Sequence, residues 1–170
     1  MYKVFKSLGT INLIKSLSNC ILEISSGVFL FKYDVAQYEY FLNKMSKYNC
    51  KQLIFTSEIF FKILKKIDKN EIRIREIKIT EDLAEEFDDE IKSLILELYS
   101  DDNISITKLL NRLKLFEESD GIEIDHIHLS LKEDRRTKKI KIYNNGIIST
   151  TLSEKYLCEF LIKYLGEIKL

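Results

Sequence analysis

The chain has two histidines, and they stand two residues apart in Glu123-Ile124-Asp125-His126-Ile127-His128. Alternate positions of a strand point the same way, so both imidazoles can approach one ion, with a carboxylate beside them. Asp125, His126 and His128 are therefore the candidate metal ligands, and a metal-dependent phosphoesterase or nuclease is one reading of the chain. A tetrahedral site would need further ligands from elsewhere in the sequence. The plainer reading is a polar strand face in contact with water. Cys20, Cys50 and Cys158 are odd in number, widely spaced and outside any CxxC pair, which argues against a disulfide framework or a zinc knuckle.

Two short motifs carry resemblances. His128-Leu129-Ser130-Leu131 resembles the His-x-Ser/Thr motif of two-histidine phosphoesterases, in which the imidazole moves a proton and the hydroxyl holds a phosphate oxygen. That family uses two such motifs, and fifty residues upstream Lys78-Ile79-Thr80 has lysine where histidine is required. Glu76-Ile77-Lys78 resembles the second half of the PD-(D/E)xK nuclease pattern, in which carboxylates hold Mg²⁺ and lysine polarises the attacking water. The aspartate that this pattern places on a neighbouring strand has no counterpart, since Asp68 belongs to the preceding helix. There is no glycine-rich phosphate loop and no nucleophile elbow. The motifs imply no cofactor and favour binding over catalysis.

Charge is the more informative signal. Lys+Arg and Asp+Glu number 27 each, so the formal net charge is zero, yet the two signs are segregated. Residues 1–80 carry 14 basic against 7 acidic side chains, residues 81–131 carry 4 against 15, and residues 132–170 carry 9 against 5. The acidic block opens a helix, where negative charge also favours the helix dipole. Glu85, Glu86, Asp88, Asp89 and Glu90 form the candidate face for a basic protein partner, or an imitation of nucleic-acid phosphates. The favoured function is accordingly a non-enzymatic adaptor or inhibitor that binds a protein. The alternative is nucleic-acid binding through Arg135, Arg136, Lys138, Lys139 and Lys141 around a hairpin, helped by Lys62, Lys65, Lys66 and Lys69. Lysine outnumbers arginine 22 to 5 and isoleucine is abundant, which fits an AT-rich genome and a phage, mobile element or bacterial defence system as source. No apolar run approaches the roughly 20 residues of a membrane span, and Met1–Lys6 lacks a signal-peptide core, so a cytoplasmic protein away from membranes is expected.

These residues must be positioned by the surrounding elements. A chain of 170 residues, 45% of them hydrophobic, is expected to form one α+β domain over 1–170, with a mixed, mostly antiparallel sheet flanked by helices. Periodicity predicts strands near 2–6, 52–56, 71–80, 122–131, 137–143 and 147–151, with a hairpin over 20–33. Helices are predicted near 10–19, 35–48 (capped by Asp34), 57–69 (capped by Ser57), 82–99, 105–117 and 152–165. Asn145-Gly146 reads as a type I′ turn. In Ile72–Ile79 and again in Ile122–Leu129 the apolar alternation skips a residue, which predicts bulges at Arg75-Glu76 and Asp125-His126. The two patterns coincide at an offset of fifty residues, the mark of a degenerate internal repeat.

Overall fold

The computed structural model describes residues 1–9, 14, 17, 19–80, 85–100 and 106–166, leaving aside the side chains of Glu85 and Glu86. The expected helix over 10–19 and the start of the one over 82–99 lie outside the described residues. The fold is α+β, helices flank antiparallel sheet, and every strand pair with an established register is antiparallel. The chain divides into two compact units, residues 1–54 with 145–170, and residues 55–144.

In the first unit, β1 (Tyr2–Ser7) pairs with β3 (Val28–Lys32), which continues the hairpin from β2 (Cys20–Ser25). β1 also pairs with the short β4 (Cys50–Gln52) and with β8 (Ile147–Thr150). Tyr2, Lys3, Val4 and Phe5 are buried in succession, the pattern of a strand covered on both faces. Phe5, Phe29 and Phe31 meet Phe41 and Met45 of α1 (Tyr38–Lys47), and the edge-to-face contacts of Phe5 with Phe31 and Phe41 fix the rings. Asp34 does cap, but what it caps is a short 3₁₀ turn over Val35–Gln37 that precedes α1; its carboxylate accepts from the Ala36 amide at 3.0 Å. α5 (Glu154–Leu165) packs on β2 and is capped by Ser153.

The second unit is a three-stranded sheet of β5 (Ile72–Ile79), β6 (Ile124–Glu133) and β7 (Arg136–Tyr143) with three helices, α2 (Ser57–Lys66), α3 (Glu85–Ser100) and α4 (Ile106–Asp120). α3 packs on β5 and α4, and α2 on β6 and α4. Both expected bulges are present. Ile74 faces Leu129 and Glu76 faces His128, so Arg75 is the extra residue on β5; Lys78 faces His126 and Ile79 faces Ile124, so Asp125 is the extra residue on β6. Each bulge restores the isoleucines to the buried face.

Three local expectations are corrected. Ser57 is not the cap of α2: Thr56 holds that position, and the buried Ser57 hydroxyl accepts from the Ile124 amide at 3.1 Å. In place of the strand near 52–56 is the earlier and shorter β4; after it the Leu53 amide still reaches β1 at the Val4 carbonyl, and the Phe55 amide turns to the Asn144 carbonyl. The type I′ turn belongs to Asp134-Arg135, both left-handed at φ 48° and 64°, whereas at Asn145-Gly146 only the glycine has positive φ.

Candidate functional site

The sheet of the second unit has one apolar face and one polar face. Ile72, Ile74, Ile77, Ile79, Ile127, Leu129, Ile140 and Ile142 are buried on the first. Strand register places Arg73, Glu76 and Lys78 of β5, His126, His128, Ser130 and Lys132 of β6, and Thr137, Lys139, Lys141 and Tyr143 of β7 on the second. Arg75 at the bulge joins them, donating from Nε to Ser130 Oγ at 2.8 Å.

At one end of this face a charged cluster surrounds the histidines. His126 lies between two carboxylates, with Nδ1 2.7 Å from Asp125 Oδ2 and Nε2 3.3 Å from Glu76 Oε2. Glu76 Oε2 is also 3.6 Å from Lys141 Nζ and 3.9 Å from His128 Nδ1. Burial works to raise the Glu76 carboxyl, but the hydrogen bond to His126 and the charges of Lys141, His126 and His128 outweigh it and hold the pKa below the ordinary carboxylate value. Burial lowers the His128 pKa, against the pull of Glu76.

This arrangement bears on each chemical reading. Asp125, His126 and His128 are neighbours, but both ring nitrogens of His126 are already engaged, and a metal ion would have to displace one of those contacts. Among the described residues no group of three or more His, Cys, Asp or Glu side chains is set to hold a metal ion. The Glu76 carboxylate is spent on His126 and Lys141, and Lys78 is ion-paired with Asp88. Asp68 closes a turn by accepting from the Asn70 amide. Ser130 of the His-x-Ser motif is 4% exposed and held by Arg75. All three cysteines are free thiols.

The acidic helix is similarly engaged. Asp88 pairs with Lys78, Asp89 with Lys92, and Glu90 with Arg112 through two hydrogen bonds of 2.6 and 2.8 Å. The hydrogen bonds from Arg112 lower the Glu90 pKa. The side chains of Glu85 and Glu86 lie outside the described residues.

The basic hairpin divides between the two faces. Lys138 is on the apolar side, 3.8 Å from the buried Glu133, while Lys139 and Lys141 are on the polar face and Arg135 and Arg136 are at the exposed turn. Two arginines outside the hairpin complete the polar face. The exposed Arg73 stacks over the Tyr99 ring at 5.0 Å, and Arg75 is oriented by Ser130. Their signal in the sequence was the Ile-Arg-Ile-Arg alternation of Ile72–Arg75, which puts both arginines opposite the buried isoleucines. With Lys78, Lys132, Lys139 and Lys141 they make six basic side chains, against Glu76, Asp125 and, from α3, Asp88. Where β5 begins, Lys69, Arg73, Arg75, Tyr99, Ser130 and Lys132 line an open cleft of about 290 Å³.

No protein-family model matches this chain, and neither a curated protein nor a solved structure matches it. No helix among the described residues is long and apolar enough to cross a membrane.

Proposed function

We propose that this chain is a non-enzymatic binding protein for single-stranded nucleic acid, held on the polar face of β5, β6 and β7. The observation that carries the reading is the concentration of Arg73, Arg75, Lys132 and Lys139 on one sheet face, beside Lys78 and Lys141, which are paired with Asp88 and Glu76. Zero net charge does not oppose it, because phosphates respond to the local field. Half-buried Tyr143 at one end of the face supplies a ring on which a base can stack, a mode suited to unpaired strands. The engagement of Asp88, Asp89 and Glu90 by Lys78, Lys92 and Arg112 leaves less of the acidic helix for a basic protein partner, so that reading is the weaker one.

Fluorescence anisotropy with a labelled single-stranded oligonucleotide tests this. Affinity should fall as salt rises from about 50 mM, by roughly 0.7 log unit per tenfold salt for each phosphate neutralised. Arg73→Ala with Lys139→Ala should weaken binding and flatten that slope, whereas Arg135→Ala with Arg136→Ala at the turn should do so less. Absent or salt-insensitive binding would refute the reading.

A further inference from the structure

We infer that the cleft at the start of β5 is a subsite for a terminal phosphomonoester, the phosphorylated end of a strand. The inference rests on the nucleic-acid reading and assigns that face a polarity. Both guanidinium groups in the cleft are oriented before any ligand arrives: Arg73 by stacking on Tyr99, and Arg75 by its Nε bond to Ser130 Oγ, which leaves its Nη pair to face an incoming oxygen. Tyr99 is itself fixed, since its hydroxyl accepts from the Ile74 amide at 2.6 Å and donates to the Ile72 carbonyl at 3.3 Å. Lys69 and Lys132 add two ammonium groups, and Glu71 is the one carboxylate of the lining.

Four cations against one carboxylate suit a dianion better than the single negative charge of a phosphodiester. The exposed Thr137 hydroxyl supplies a neutral partner for a phosphate oxygen. At about 290 Å³ the cleft stands at the lower end of small-ligand sites, roughly 300 to 1,000 Å³, so it accepts a phosphate with its sugar and not a run of nucleotides. The remaining strand would then run along the polar face toward Lys141 and Tyr143.

Three single-stranded oligonucleotides of one sequence, with a 5′-phosphate, a 3′-phosphate or hydroxyls at both ends, are titrated with the full chain. One phosphorylated end should bind roughly tenfold tighter than the unphosphorylated strand, the worth of an added charge-assisted hydrogen bond. Which end does so distinguishes the two sources of a phosphomonoester. Arg75→Ala and Lys132→Ala should abolish the preference, bringing all three strands to one common, weaker and still salt-dependent affinity, while leaving the circular dichroism spectrum intact; both side chains are exposed. Equal affinity for all three strands overturns this inference and leaves the nucleic-acid reading standing, and binding of none overturns both. A preference that survives both substitutions removes the cleft as its location.

Discussion

The Tyr99 hydroxyl sits 2.6 Å from the Ile74 amide and 3.3 Å from the Ile72 carbonyl, so a side chain of α3 takes the place of a missing neighbour strand along β5. An outer strand with free amides and carbonyls invites pairing with other chains, and this contact closes part of that edge.

Tyr99→Phe removes the hydroxyl and keeps the ring under Arg73. Loss of about 1 to 2 kcal/mol in a urea titration is expected, since the Ile74 amide loses its partner. Hydrogen exchange at Ile74 should accelerate more than exchange on β6. Unchanged exchange at Ile74 would show that water or a strand shift replaces the hydroxyl at no cost.

The pH dependence of stability should report on the histidine cluster. Burial depresses the folded-state pKa of His128 below its ordinary 6.5, so the unfolded chain binds that proton more readily. The stabilising contribution is complete above pH 6.5 and declines as pH falls through the folded value. Glu76 follows in a lower window: its folded pKa lies below 4.5, and its contribution declines as pH falls through that depressed value. His128→Gln should flatten the fall of the unfolding midpoint that begins below pH 6.5 while leaving the steeper acid limb, which Glu76→Gln should reduce. Parallel profiles for wild type and His128→Gln would refute the assignment.

Much of this architecture was legible because burial imposes a pattern on sequence. The parity change of isoleucines at Arg75-Glu76 and Asp125-His126 located each bulge to a pair of residues, since a strand with one buried face has to return its apolar side chains to that face. β5 and β6 are antiparallel neighbours sharing the same buried face, and their similar patterns at an offset of fifty residues follow from that shared environment without requiring duplication. What stayed hidden depends on distant partners. Nothing near Asp88 or Glu90 in sequence announces Lys78 or Arg112, and an acidic helix start reads the same whether its charges are paired or open. The type I′ turn was missed because Asp134-Arg135 lacks the glycine that usually relieves positive φ, while Asn145-Gly146 has it and uses one left-handed residue.

Two glycines separate backbone conformation from space. Gly146 and Gly121 have similar φ, 78° and 68°, yet a Cβ on Gly146 would come within 2.4 Å of the Leu53 carbonyl oxygen and one on Gly121 meets nothing within 4 Å. Gly121→Ala should cost about 1 kcal/mol, the left-handed penalty alone. Gly146→Ala should cost roughly 1 to 3 kcal/mol more, because the Leu53 segment has to move. Equal losses in thermal or urea unfolding would mean that the segment yields freely.

Lys3 is fully buried on β1, and its ammonium donates to the Asn145 carbonyl. The cover on both sides of β1 makes it a core residue. Burial lowers its pKa to about 8, from an ordinary value of 10.5. Below pH 8 both folded and unfolded chains carry the proton, and the full cost of the buried charge is present. Between pH 8 and 10.5 the folded protein has released the proton and the unfolded chain has not, so stability should rise with pH relative to a variant lacking the amine. Lys3→Met keeps the length of the side chain and removes the charge. Wild type minus Lys3→Met, followed as the urea midpoint, should therefore increase across that interval and level off above it, isolating Lys3 from tyrosines and thiols that titrate nearby in both proteins. A constant difference would mean that Lys3 keeps the proton affinity of an exposed lysine and reaches water in solution.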